Sequence, residues 1–175
     1  MNLLSIINSR AGVALALALG KAIPPRFGYS VAGLISNIIA GRNTEMTRAI
    51  RANQWVISDG KLSGKKLDEA VKAVLQNNAH SLYDYYHNLD RPEEIIRLVS
   101  FSEKFNICLE EHRQSQRGTI FVVPHMSNFD LAGLALALHG VSFQVLSFPQ
   151  PNVGYQLQNQ IRAARGIEVT PMSIT

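Results

Sequence analysis

"GTIFVVPHMSNFDLAGLALAL", residues 118–138, is the stretch on which the reading of this chain turns. It opens on a β-branched and aromatic run, 118–124, of the kind that fills a buried strand. It closes on the apolar segment 128–138, which predicts a helix, and the turn between them carries Pro124, His125, Ser127 and Asn128. A strand that runs straight into a helix is half of a βαβ unit. The first turn of such a helix offers unpaired N–H groups, and in open α/β sheets ligands collect at that end of the strand. His125 stands at this junction and Asp130 follows five residues later.

Two readings of the pair are open. In one, His125 is a general base and Asp130 the carboxylate that orients it. In the other, Ser127-Asn128-Phe129-Asp130 fits S-x-x-D, a capping box in which Asp130 merely closes the first helical turn. Spacing does not decide between them, since five histidines and five aspartates in 175 residues give such a pair about 0.14 times by chance.

Outward from this stretch the pattern alternates. "IIRLVSF" (95–101) predicts a strand, "FNICLEEHRQS" (105–115) a helix, 141–148 a strand, 153–165 a helix and 167–171 a strand. Strands alternating with helices predict an α/β domain over 92–175, with a largely parallel sheet and flanking helices. The apolar helix 131–138 reads as core, although Ala132, Gly133 and Ala135 form a small-residue face that could line a ligand.

The middle of the chain, 42–91, is read as helical. A basic helix over 43–57 has Met46, Ile50 and Trp55 as apolar contacts. Ser63 precedes a long helix over 64–88, where Leu67, Val71, Val74, Leu75 and Leu82 recur at the helical period. His80 and His87 near its aromatic end could share a face, but no third ligand accompanies them, so no metal site is expected. The single cysteine, Cys108, excludes a disulfide framework, a zinc cluster and a CxxC pair, and reads as a buried thiol.

Residues 1–41 differ in kind. The apolar run 11–20 lies between Arg10 and Lys21, and a second, 27–41, between Arg26 and Arg42, with Pro24-Pro25 dividing them. A spanning helix needs ~20 apolar residues, so neither run reaches across a bilayer comfortably. A signal peptide fits the length of the first run, but a basic leader and a cleavage site in a polar setting are missing. Two short helices lying in the membrane interface, their basic residues reaching the headgroups of the cytoplasmic leaflet, account for both runs, as would a pair of ordinary buried helices.

Composition agrees with a covered surface: 46% of residues are hydrophobic and 17% charged, against roughly 25% charged in an ordinary domain. Residues 1–72 carry ten Lys/Arg against four acids, a balance of +6, so the remainder nets −2 of the overall +4. Basic residues interleaved with stacking aromatics in a nucleic-acid module are not found, so lipid is the expected anionic partner.

The segment "RGTIFVVPHMSNFDLAG" (117–133) resembles the signature of the bacterial lipid A biosynthesis acyltransferase family, including its relatives that acylate phosphatidylinositol mannosides. The family carries H-x-x-x-x-[D/E] between a buried strand and an apolar helix. The apolar N-terminus, the basic helix, the aromatic-rich helix and "IRAARGIEVTP" (161–171) fall in the family's order, so the resemblance covers nearly the whole chain. Ser127 and Phe129 stand where the mannoside-type pattern commonly has Gly and Trp, while Asp130 is like the mannoside type rather than the glutamate usual in lipid A enzymes. Family members continue beyond the last residue here, so a fragment is expected.

The resemblance implies a membrane-associated acyltransferase on the cytoplasmic face of the plasma membrane. It would move a fatty acyl chain from an acyl thioester, coenzyme A or carrier protein, to a hydroxyl of a glycolipid, with no cofactor and no metal. His125 would be the base and Asp130 its partner, with backbone N–H groups after His125 facing the oxyanion. Arg162, in an R-x-x-x-G stretch, would bind a phosphate or support the oxyanion, and Ser127 and Asn128 would contact substrate. A thioester hydrolase and a non-catalytic membrane-binding module are the competing classes.

Overall fold

The computed structural model describes residues 9–115, 118–123, 127–147, 149 and 153–172. Among these lie eight helices and one two-stranded sheet, so the chain is mostly helical rather than built on a broad sheet. It divides into two compact units, Met1–Leu89 and Asp90–Thr175.

The first unit is a helical bundle of α1 (Arg10–Ala22), α2 (Pro25–Ala40), α3 (Glu45–Ile57) and α4 (Gly64–Asn88). Each of the first three packs on α4. Ser9 caps α1 by accepting from the Gly12 N–H at 3.1 Å, and Pro25 begins α2 at a position where no N–H is needed. Leu67, Val71 and Leu75 of α4 are buried as their period requires, whereas Val74 and Leu82 are only half-buried. Ser63 occupies the N-cap position of α4 without a side-chain cap bond.

α2 meets α4 through its small residues. Gly28, Ala32 and Ser36, four apart, are its buried positions. A Cβ on Gly28 would lie 2.1 Å from the Tyr83 ring, and one on Gly20 would lie 2.7 Å from Tyr86 Cβ, so only glycine permits these approaches. The aromatic end of α4 thereby has its explanation. Tyr83 donates to the Ile23 carbonyl at 2.8 Å, and His87 Nδ1 lies 2.8 Å from the Gly20 carbonyl. Both close the orphan carbonyls at the α1–α2 corner. His87 is therefore a buried structural residue, and no group of three metal-ligating side chains occurs among the described residues.

With its small residues turned inward, α2 leaves its large ones outside. Phe27, Val31, Leu34, Ile35 and Ile38 share one face and are exposed, Leu34 by 61%. On α3, Trp55 is exposed rather than a core contact, and a Cβ on Gly60 would lie 3.2 Å from its ring. No described helix is long and apolar enough to cross a membrane.

The second unit comprises α5 (Pro92–Leu98), α6 (Glu103–Gln114), α7 (Phe129–Leu138), β1 (Gln144–Ser147), α8 (Val153–Ala163) and β2 (Glu168–Pro171). β1 and β2 pair in parallel, Gln144 opposite Glu168 and Ser147 opposite Pro171, with α8 as the crossover. The βαβ expectation holds for this part.

Two expected strands do not form. Residues 95–101 fall largely in α5, because Pro92 starts a helix, Glu93 and Glu94 suit its N-terminal dipole and Arg97 its last turn. Its one fully buried apolar residue is Ile95, and α5 packs against α7, whose buried residues are Leu131, Leu134 and Ala135. Residues 118–123 belong to neither a helix nor a strand, and Ile120, Val122 and Val123 are 89%, 91% and 71% exposed rather than buried. A strand gains its hydrogen bonds from neighbours, and 118–123 pairs with neither of the two described strands. Cys108, on α6, is partly exposed rather than buried.

Candidate functional site

The site is built on α7, β1 and α8. α7 starts from Asn128, which has φ 64 and ψ 15, the left-handed conformation that asparagine tolerates better than most residues. In this geometry Asn128 makes no side-chain cap bond, although the Ala132 N–H reaches its carbonyl at 3.0 Å. The capping-box reading of Ser127 and Asp130 is thus replaced. The helix begins one residue later than S-x-x-D requires, and Ser127 is an exposed turn residue.

Asp130, in the first turn of α7, turns to Arg162 instead. Arg162 donates from Nε to Asp130 Oδ1 at 2.8 Å, and its Nη2 lies 2.7 Å from the same oxygen. The other carboxylate oxygen takes no side-chain hydrogen bond from the described residues. The arginine side chain is 6% exposed and the aspartate side chain 21%.

Arg162 is held from every side. Its Nη1 donates to Asn159 Oδ1 at 2.8 Å, one helical turn earlier on α8. Asn159 Nδ2 in turn donates to the buried Ser147 Oγ at 2.8 Å, at the carboxyl end of β1. The guanidinium carbon lies 5.4 Å from the centre of the Tyr155 ring and 5.9 Å from that of Phe129. Burial by itself pulls the guanidinium's affinity for its proton down. The Asp130 charge and hydrogen bond, with a further hydrogen bond to Tyr155, outweigh it and leave the pKa above its ordinary value. Arg162 is a fixed cation, and the network presents one partly exposed carboxylate on a rigid support.

Sequence reasoning named Asp130 and Arg162 for separate roles, and the structure brings them together. Ser147, Asn159 and Tyr155 it missed. A signal existed for two of them: Ser147 ends a parallel strand, where ligands collect, and Asn159 is three residues before Arg162 on one helix, within side-chain reach. His125 lies outside the described residues. Asn128 and Ser127 flank the start of α7, both exposed. On α7, Ala135 is fully buried, which fits the core reading, while Ala132 and Gly133 are half-buried, Gly133 facing the Phe143 ring.

A cavity of about 460 Å³ in the same unit is lined by residues including Leu109, His112, Arg113 and Gly140, and neither Asp130 nor Arg162 borders it. The ion-paired network, with its buried cation, is the better candidate for chemistry than that open depression.

Residues 88–174 match the family model described as bacterial lipid A biosynthesis acyltransferase. The match takes in residues 118–138 and the whole Asp130–Arg162–Asn159–Ser147 network. No curated protein and no solved structure matches the chain.

Proposed function

Because residues 88–174 make the chain a member of the bacterial lipid A biosynthesis acyltransferase family, and so of an acyltransferase lineage in lipid biosynthesis, we propose that it transfers a fatty acyl chain from an acyl thioester to a hydroxyl of a glycolipid acceptor. The acceptor is lipid A-like or phosphatidylinositol mannoside-like. His125 is the general base and Asp130 its carboxylate partner.

The acceptor hydroxyl is a weak nucleophile until its proton begins to leave, and a neutral imidazole has the basicity to take it at neutral pH. The new C–O bond forms as that proton moves to His125. The tetrahedral intermediate then collapses with loss of the thiolate, which His125 reprotonates. A carboxylate on the far ring nitrogen holds the tautomer and steadies the transient imidazolium. The observation that carries this reading is the Asp130 carboxylate held at one oxygen by the buried Arg162, in the family-matched span, five residues after His125. In this arrangement Arg162 acts chiefly by fixing Asp130, and Ser127 and Asn128 contact substrate at the mouth of the turn. The thioester brings its own activation, so the reaction calls for no cofactor and no metal.

Membrane association at the cytoplasmic face belongs to the same proposal. The exposed apolar stripe of α2 supports it, since a lipid acceptor is presented at a bilayer surface and the stripe is flanked by Arg26 and Arg42.

The test supplies the full chain with radiolabelled palmitoyl thioester and a total bacterial lipid extract in vesicles. A labelled glycolipid is expected, with its formation falling about a hundredfold or more in His125→Ala. Transfer within a few-fold of the parent in that variant would remove the base assignment. Release of free fatty acid alone, with no labelled lipid, would make the chain a hydrolase.

A further inference from the structure

The corner between α2 and α3 carries a cluster that acyl transfer does not use. A cleft of about 250 Å³ there is lined by Gly41, Asn43, Thr47 and three arginines, Arg42, Arg48 and Arg51. No carboxylate among the described residues lines it. Arg51 is ion-paired with Asp68 of α4, and Arg48 donates to Asn43 only weakly, at 3.4 to 3.5 Å. The Arg42 side chain has no partner among the described residues and is exposed. The cleft therefore holds about two uncompensated positive charges.

Its backbone is prearranged. Thr44 and Thr47 cap α3 reciprocally, and the Thr47 hydroxyl donates to the Arg42 carbonyl at 2.7 Å, which ties the corner together. Arg48 and Trp55, seven residues apart, share a face of α3, and the exposed Trp55 ring is of the type that settles at lipid–water boundaries.

The neighbouring surface points to the ligand. The exposed stripe of α2 ends at Ile38, about one helical turn before Arg42, and runs back to Phe27 over about 17 Å. An apolar face about one helix wide that ends on a three-arginine cleft matches the chemistry of a lipid monolayer, hydrocarbon beside phosphate. A soluble phosphate would be served by the cleft and leave the stripe without a purpose.

We propose that this corner is a binding site for the headgroup phosphate of an anionic membrane lipid, taken by Arg42 and Arg48 while the α2 stripe enters the acyl boundary. It rests on the bilayer-facing reading of α2 given above and adds a defined phosphate site to it.

The test is co-sedimentation of the full chain with vesicles of phosphatidylcholine alone or mixed with phosphatidylglycerol. Three variants accompany it: Arg42→Gln/Arg48→Gln; Lys65→Gln/Lys66→Gln, an equal loss of exposed charge at the start of α4; and Leu34→Ser/Ile38→Ser. Each arginine at an anionic surface is worth about a fivefold change in partitioning, so the first variant is expected to lose about 30-fold on the mixed vesicles. The lysine variant should lose only a few-fold, and the α2 variant should weaken on both vesicle types. Equal losses in the arginine and lysine variants would reduce the effect to diffuse charge and overturn the site while leaving membrane binding intact. Failure of the parent to bind either vesicle would overturn the bilayer reading and the site with it. Release from mixed vesicles by millimolar inorganic phosphate, but not by chloride of equal ionic strength, is expected. Inorganic phosphate bound by the parent without vesicles and lost in the arginine variant, with vesicle binding of the two equal, would assign the cleft to a soluble phosphate and overturn the lipid.

Discussion

Replacing Asp130 by Asn keeps the side-chain shape and removes the charge opposite Arg162. The cost follows from the geometry. Arg162 is 6% exposed at its side chain and has two N–H groups within 2.8 Å of one Asp130 oxygen. Breaking a buried ion pair by removing one partner costs about 3–5 kcal/mol. Here the guanidinium keeps Asn159, the Tyr155 and Phe129 rings, and an asparagine oxygen at the former carboxylate position. Asp130 is also one-fifth exposed, so a loss of about 2–3 kcal/mol is expected. Arg162→Met should lose a similar amount by leaving Asp130 and Asn159 without their donor. In the double variant neither charge remains, so its loss should be no larger than that of either single change, which makes the coupling about 2 kcal/mol. Urea unfolding, with hydrogen exchange read at the α7 and α8 amides, measures the cycle. Additive losses, with the double variant near the sum of the two, would refute the claim that these residues act as one unit.

Other substitutions test other parts of the structure. Gly28→Ala, whose Cβ would meet the Tyr83 ring at 2.1 Å, should destabilise the first unit by about 1–3 kcal/mol, while Gly33→Ala, which meets nothing within 4 Å, should stabilise it by up to about 1 kcal/mol; opposite signs in thermal unfolding are the check. Asn159→Leu removes the Asn159 hydrogen bonds to the buried Ser147 hydroxyl and to Arg162 Nη1, and should cost about 1–3 kcal/mol by urea unfolding without altering the α-helical circular dichroism. The Tyr29 phenol, hydrogen-bonded to Asp84 and partly buried, has its pKa pushed from 10.0 up to about 12. Its neutral form is the one that the fold favours, so this contribution is complete below about pH 10 and is lost as pH rises through about 12. The stability gap between the parent and Tyr29→Phe should therefore be wider near about pH 9 than near about pH 12, and a gap that widened with pH would contradict it.

Local features account for what could be read in advance. The long helix Gly64–Asn88 has the bounds that its period and Ser63 predict, and the α3, α6, α7 and α8 helices differ from expectation by no more than two residues at either end. The strand 141–148 was read too long and the run 95–101 as the wrong element. In the latter, β-branched residues spoke for a strand, and Pro92 with the acid-first, base-last charges spoke for a helix; the helix signals prevailed because they act on the backbone itself. The exposure of Ile120 and Val122 could not be read from composition, because burial of a strand depends on what lies against it.

The sequence by itself determined the positions of most helices, the short βαβ crossover, the insufficient length of the N-terminal apolar runs for a bilayer span, and the residues that carry the family signature. Those are properties of neighbours along the chain, set by period, caps and turn chemistry. Only the tertiary structure decided that Asp130 answers to Arg162 rather than to the cap of its own helix, since the two are 32 residues apart and nothing local joins them. It alone decided that His87 closes the α1–α2 corner, 67 residues from the Gly20 carbonyl that it meets. A buried polar group must be satisfied, and which partner satisfies it is settled by where the packed helices bring the chain back upon itself.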